Sequence, residues 1–432
     1  MRAIKVERSA PLQGSVKIPG SKNSALALFA AACMADGPVT LLGIPDIADL
    51  RVIDGLGKEI GLHIERHPDG SVTVDGSGVS STEFDPVRSS SFRTAYYFIG
   101  ALLAKFGSVS VGYPGGDDFV SRPMDQHIKA LKQLGATFTF HDRHYEVKAA
   151  ALEGAVIYFD TITSGATINA MLAAVLAKGT TVLLGAARDP EVTDTANLLN
   201  RMGARIVGAG TDHIRIEGVT SLKGCTYTVI PDRLIAGAFL MAAGATGGCI
   251  TVQDVIPEHM SSCIAKLREI GMDIETTEHA VTARSTGALR ATRVRTAMYP
   301  GFATDLQQPL TALLTQAAGK SIVGDRIYPS RFNHAAQLGR MGASIKVRSG
   351  VAFVNGGQPL HGALVHASDV RAGTCLIIAG LCAEGTTTIA GVQHIERGYE
   401  DVVGQFRSLG ANIGMFDSDE QIAHVASLRM SK

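Results

Sequence analysis

Two kinds of helical pattern alternate along the chain, separated by short β-branched runs. The first kind is apolar nearly all round, as in SALALFAAACMADG, TAYYFIGALLAKFG, ATINAMLAAVLAKG and AGTCLIIAGLCAEG. A helix without a polar face predicts burial. Each such run ends in Gly, which predicts a C-terminal cap. A strand is then expected at PVTLLGI, SVSVGY, TTVLLG, CITVQDV, SIVGD and TTTIAGV. After a loop, segments such as DLRVIDGLGKE and HMSSCIAKLRE carry charge on one face, which predicts amphipathic helices on the outside. A further strand closes each unit.

The units are copies of one another. An apolar-Gly-x-x-apolar signature ends each amphipathic helix, reading IGLHI, LGATF, MGARI, IGMDI, MGASI and LGANI. Its glycines, Gly61, Gly135, Gly203, Gly271, Gly342 and Gly410, lie 74, 68, 68, 71 and 68 residues apart. Such regularity marks an internal repeat. The copies divide as three plus three. The similar segments KIPGSKNSALALFAA and VIPDRLIAGAFLMAA stand where each group begins, and they read as paired linkers beside a cleft. The expected fold class is α/β, with buried helices inside and strands and amphipathic helices outside.

Composition narrows the functional classes. A chain of 432 residues predicts two domains. Lys+Arg and Asp+Glu both number 40, so a bulk electrostatic partner such as duplex nucleic acid or an anionic membrane is not expected. A hydrophobic fraction of 46% with 19% charged residues argues against disorder. No apolar run reaches the roughly 18 residues that span a bilayer. The N-terminus, MRAIKVERSA, alternates like a strand and lacks the apolar block of a signal peptide. The six cysteines show neither CxxC nor metal-type spacing, which predicts free, buried thiols in a reducing compartment, hence a cytoplasmic protein.

Candidate chemistry gathers at the starts of the buried helices. These carry Lys22-Asn23, Arg93-Thr94, Ser164 to Thr167, Asp232-Arg233, Asp305 and Asp369 to Arg371. A cation opposes the positive N-terminal end of a helix dipole, so its presence there predicts an anion nearby. Loops after strands add Arg122, Arg331 and Arg397. Together Lys22, Arg93, Arg122, Arg331, Arg371 and Arg397 are expected to converge on one cleft. Such a set suits a small polyanion, especially a phosphorylated carboxylate, because arginine binds both groups bidentately. No P-loop, HExxH or GxSxG is present, and no GxGxxG follows a strand.

The repeat, together with SKNSALAL, PGGDDFVSRPMDQH, SGATINAM, EVTDTANLLNRMGARI, YTVIPDR, YPGFATDLQQ, SRFNH, HASDVRAG and HIERGYE, closely resembles the enolpyruvyl transferases. The likeness covers roughly residues 1 to 415. It implies two inside-out α/β domains of three repeats each. One is expected to comprise residues 21–230, the other 231–420 completed by the N-terminal strand 1–20. The resemblance further implies transfer of enolpyruvyl from phosphoenolpyruvate to the 3-hydroxyl of UDP-N-acetylglucosamine, by addition and elimination, with release of phosphate. UMP or shikimate 3-phosphate are the rival acceptors, and a silent UDP-sugar-binding paralogue is the rival class.

The same resemblance assigns roles. Lys22, Arg122 and Arg397 match the phosphate cradle for phosphoenolpyruvate, and Arg331 and Arg371 the clamp on its carboxylate. Asp305 matches the acceptor of the sugar hydroxyl proton. Asn23, Arg93, Pro123, Met124, Asp125, Gln126 and the stretch Thr161, Ile162, Thr163 and Ser164 match nucleotide-sugar contacts, with Ile327 and Asp369 at further matching positions. The family loop usually carries Gly-Gly-Cys; here it reads Gly115-Gly116-Asp117, so Asp117 is the expected general acid. Thiol-directed epoxides such as fosfomycin are then expected not to inactivate the protein. Val120 replaces a family glycine and Thr161 a lysine that commonly touches the diphosphate. His127, His259 and His394 lie within motifs but show no metal spacing, and no metal or organic cofactor is implied. Oligomeric state stays open.

Overall fold

The computed structural model describes residues 2–90, 93–115 and 123–417, except for the side chains of Arg93 and Thr94. In chain order the principal helices are α1 (Lys22–Ala32), α2 (Ala48–Glu59), α3 (Tyr97–Phe106), α4 (Asp125–Gln133), α5 (Ser164–Ala174) and α6 (Pro190–Arg201). The series continues with α7 (Arg233–Thr246), α8 (Ser261–Ile270), α9 (Thr304–Thr315), α10 (Asn333–Arg340), α11 (Val370–Cys382) and α12 (Val402–Ser408). Odd-numbered helices are the apolar ones. In α1 every residue from Ser24 to Ala32 is buried, and in α11 every residue from Val370 to Leu381. Even-numbered helices bury one stripe: α8 hides Cys263, Ile264, Leu267 and Ile270 and leaves its other face to solvent.

The signature glycines do the same work in all six copies. Gly61, Gly135, Gly203, Gly271, Gly342 and Gly410 all have φ between 93° and 107°. That left-handed conformation reverses the chain from outer helix into strand, and a Cβ would strain it. The predicted glycine caps on the buried helices hold only for Gly107 and Gly247, both left-handed. Helices α1, α5, α9 and α11 end before Gly37, Gly179, Gly319 and Gly385. Tighter i→i+3 bonds take over there, from the N–H groups of Met34, Ala177, Ala317 and Ala383 to the carbonyls of Ala31, Ala174, Leu314 and Gly380.

The chain forms two compact units, Pro19–Pro231 and Met1–Ile18 with Asp232–Lys432. In the first unit, strands 226–228 pair parallel with 39–42 and close the sheet of the first repeat, although nearly two hundred residues separate them. In the second, the N-terminal strands play that part. Strand 13–17 runs parallel to 249–253, and strand 2–7 lies antiparallel between 386–390 and 413–417. Borrowing from the far end of the chain gives each group of three repeats a complete set of sheets over its helices. Within the 232–417 portion, α7, α9 and α11 all pack on one another. In the other unit α3 packs on α1 and α5, while α1 also leans on the outer helix α6. No helix among the described residues is long and apolar enough to cross a membrane.

All six cysteines are free. Cys33, Cys263 and Cys375 are buried, whereas Cys225, Cys249 and Cys382 are only half-buried, so the expectation of buried thiols holds for three. Burial pushes the Cys33 and Cys263 thiols up to about 12, which makes them unreactive at neutral pH.

Candidate active site

In the unit that contains residues 232–417, the starts of α9, α10 and α11 bring four of the expected residues together. Asp305, the second residue of α9, is bonded by both arginines. Arg331 Nη1 donates to its Oδ1 at 2.5 Å and Arg371 Nε to its Oδ2 at 3.2 Å. Arg331 Nη2 also reaches Asp369 Oδ1 at 3.2 Å. Asp369 is the N-cap of α11, where Oδ1 accepts from the backbone N–H groups of Arg371 at 2.9 Å and Ala372 at 3.3 Å. Its Oδ2 accepts from Gln308 Nε2 at 3.3 Å. Asp305 does not cap α9, whose N-cap position is Ala303 with no side-chain bond. Its carboxylate therefore serves the arginines rather than the helix end.

This pairing is what permits the burial. The side chains of Arg331, Arg371 and Asp369 are about 5%, 6% and 3% exposed, against 27% for Asp305. An isolated guanidinium at that depth would cost several kcal/mol. Burial opposes the charge on Arg331, but Asp305 and then Asp369 outweigh it and raise its pKa. For Arg371, burial is likewise outweighed, by Asp305 and then Asp232. The anion that the cationic helix start demanded is thus supplied by the protein itself.

Neighbours hold this cluster in place. Asp325 Oδ1 accepts from Thr296 Oγ1 at 2.7 Å and from the N–H groups of Ile327 and Tyr328 at 2.9 Å each, and Oδ2 accepts from Thr304 Oγ1 at 2.6 Å. One carboxylate so ties the 325–331 loop, with Ile327 and Arg331, to the first residue of α9. Sequence reasoning missed Asp325. An Asp directly after a strand with N–H groups two and three residues on is an Asx-turn pattern that marks it. His334, on α10, is fully buried, and burial above all drives its pKa down to about 3, so it stays neutral beside Arg331 and Asp369. Arg397 follows the short helix Val392–Ile395 in the same unit and is half-buried.

The Pro19–Pro231 unit carries the other group. Lys22 opens α1, where Ser21 is the N-cap, and its Nζ lies 2.5 Å from Asp49 Oδ2 on α2. Asp49 was not singled out from the sequence. Asn23 is half-buried beside Lys22. Gln126 joins two of the expected segments. Its Oε1 accepts from Asp160 N at 3.0 Å, and its Nε2 donates to Asp160 Oδ2 at 3.3 Å and to Asp125 Oδ2 at 2.7 Å. The start of α4, with Pro123, Met124 and Asp125, is therefore held against the 160–164 segment. Thr161 and Ile162 in that segment are exposed, and Thr163 and Ser164 are half-buried at the start of α5. His127 is buried and bonded to Asn169, whose Oδ1 accepts from Gly100 N, which makes it a structural link between α3, α4 and α5. Arg93 begins a short 3-10 turn, Arg93–Tyr96. Asp117, Val120 and Arg122 lie outside the described residues.

Residues 6–406 match the family model described as EPSP synthase (3-phosphoshikimate 1-carboxyvinyltransferase). The chain is 47% identical over 426 residues to UDP-N-acetylglucosamine 1-carboxyvinyltransferase 2 of Geobacillus kaustophilus, covering 98% of this chain and 99% of that protein. It is 46% identical over 414 residues to UDP-N-acetylglucosamine 1-carboxyvinyltransferase of Clostridium botulinum, covering 96% and 99%. Among solved structures it is similar to the enolpyruvyl transferase NikO from Streptomyces tendae, with a TM-score of 0.87, 26% identity and coverage of 97% and 99%. EPSP synthase from Acinetobacter baumannii shares the fold, with a TM-score of 0.73 at 18% identity and coverage of 96% and 100%.

Proposed function

The chain belongs to the EPSP synthase family of enolpyruvyl transferases, and from that premise we propose its reaction and the roles of its residues. It moves the enolpyruvyl group of phosphoenolpyruvate to the 3-hydroxyl of UDP-N-acetylglucosamine and releases phosphate, the first committed step of peptidoglycan synthesis. The observation that carries this acceptor is identity of 46–47% over nearly the whole chain to relatives that bear that name.

In the addition step the sugar oxygen attacks C2 of phosphoenolpyruvate while C3 takes up a proton. Asp305 accepts the hydroxyl proton and Asp117 supplies the one to C3. In the elimination step the C2–O bond to phosphate breaks and C3 gives up a proton, leaving the enol ether. Arg331 and Arg371 each donate to one oxygen of the Asp305 carboxylate and so fix its orientation. A guanidinium carries five N–H donors, enough to hold Asp305 and a substrate carboxylate together. Arg331 and Arg371 take that carboxylate, and Lys22, Arg122 and Arg397 take the phosphate. Asn23, Arg93, the 123–126 segment and the 161–164 segment hold the nucleotide sugar, with Ile327 and Asp369 as further contacts. Cation pairs fixed before the reaction begins stabilise charge without reorganising. Enzyme of this reaction works where its soluble substrates are made, in the cytoplasm.

The test is phosphate release from phosphoenolpyruvate with each of three acceptors in turn: UDP-N-acetylglucosamine, UMP and shikimate 3-phosphate. Turnover with the first alone is expected. Turnover only with another acceptor overturns the acceptor assignment, and none with any of the three overturns the reaction.

A further inference from the structure

The hairpin formed by strands 137–140 and 144–148 carries a second cluster of chemistry-bearing side chains that the proposed reaction does not use. His141, His144 and Glu146 each offer one ligand atom, and the three atoms lie within 4.8 Å of one another. The backbone places them there. The N–H of His141 donates to the carbonyl of His144 at 2.9 Å, which closes the tight Asp142-Arg143 turn and sets the two histidines side by side. Their rings stack with centroids 4.5 Å apart. Glu146 stands two residues beyond His144 in the same strand, so strand alternation puts it on the same face.

We propose that this hairpin tip binds one divalent first-row transition-metal ion of the zinc class. Two imidazoles and one carboxylate form a donor set suited to Zn²⁺, with water completing a tetrahedron. Ligand atoms around tetrahedral zinc sit about 3.4 Å apart, so side-chain rotations at an exposed turn are enough to close the site. His141 Nε2 already lies 3.5 Å from Glu146 Oε1. The other oxygen, Glu146 Oε2, accepts from Lys148 Nζ at 2.7 Å, which orients the carboxylate with Oε1 toward the histidines. Tyr113, just beyond the strand Ser108–Gly112 that pairs with 144–148, donates from its Oη to the carbonyl of His141 at 2.8 Å and anchors the turn. In that pairing Gly112 is opposite His144 and Ser110 opposite Glu146, so the site backs onto a three-stranded sheet. The spacing H-x-x-H-x-E was legible in HDRHYE, but only the turn geometry shows that all three side chains meet.

Titration calorimetry of the full chain with ZnCl₂ in a non-chelating buffer tests this. One equivalent is expected to bind saturably, and His141→Ala, His144→Ala and Glu146→Gln are each expected to weaken binding at least about tenfold. The exposed His279→Ala, on the other unit, should leave it unchanged. The visible absorption of bound Co²⁺ provides a second readout of a tetrahedral site, and its loss in the same variants supports the assignment. Thermal melts without metal establish that each variant is folded. Absence of saturable binding to the wild type overturns the proposal, as does retained affinity in any folded variant of the three.

Discussion

The two units share one repeat, but two of their buried acids, Asp369 and Asp194, are held differently. In the unit holding residues 232–417, Arg331 and Arg371 lie among Asp305 and Asp369, so every deep cation has a carboxylate against it. In the Pro19–Pro231 unit, the most deeply buried acid among the described residues, Asp194, is held by hydroxyls instead. It accepts from Ser24 Oγ and, at 2.6 Å, from Tyr227 Oη. Both sets of pKa values rise, with opposite effects on charge. Paired arginines have raised pKa values and stay charged, whereas burial raises the Asp194 pKa against the pull of its hydroxyl donors. A common backbone therefore supports both an ionic cluster around Asp369 and a hydroxyl-tied acid at Asp194.

The largest expected effect breaks this contrast at its reactive end. Asp305→Asn keeps one oxygen to accept from a guanidinium, turns a donor toward the other and removes the proton acceptor, and should lower turnover about 10²- to 10⁴-fold in the phosphate-release assay. Wild-type turnover in the folded variant would show that Asp305 is only a structural counter-ion. Next, Arg331→Met strands the buried Asp369 without its cation. It should cost about 3–5 kcal/mol, read as a lower denaturant midpoint at unchanged slope.

A third pair of substitutions asks whether the units differ in charge alone. Gly203→Ala and Gly410→Ala occupy equivalent left-handed positions with open space around them, one in each unit. Each should cost about 1–2 kcal/mol in chemical denaturation, by strain alone. Gly61→Ala should cost more, because its new Cβ runs into the carbonyl oxygen of Gly78. Unequal costs at Gly203 and Gly410 would mean that the repeats differ in frame as well as charge.

The smallest effect concerns Asp194. A folded-state pKa raised above the ordinary 3.8 contributes stability that is present below 3.8 and is lost as pH rises through the raised value. Thermal melts should therefore show the wild type gaining on Asp194→Asn as the pH is lowered from neutral toward 3.8. A gap that stays constant or shrinks would remove the hydroxyl-tied acid from the comparison.

The apolar and amphipathic helices, the strands between them and the six signature glycines were all legible along the chain, because each follows from local periodicity or from a backbone angle only glycine tolerates. The helix-start residues Lys22, Asp305, Asp369 and Arg371 were legible too, the two cations because a helix dipole opposes them there and the two acids because it favours them. Their partners were not. Nothing local links Asp49 to Lys22 or Asp305 to Arg331 and Arg371, and the four early helix endings depend on i→i+3 turns that a glycine downstream conceals.

The sequence by itself determined the repeat and its layer order, since periodicity and glycine placement are properties of neighbouring residues. Only the tertiary structure decided which charges meet. Strand 13–17 joins 249–253, and Arg331 reaches Asp305 and Asp369, because packing brings distant segments into contact. Ion pairs and buried hydrogen bonds act over a few ångströms in space, whatever the separation along the chain.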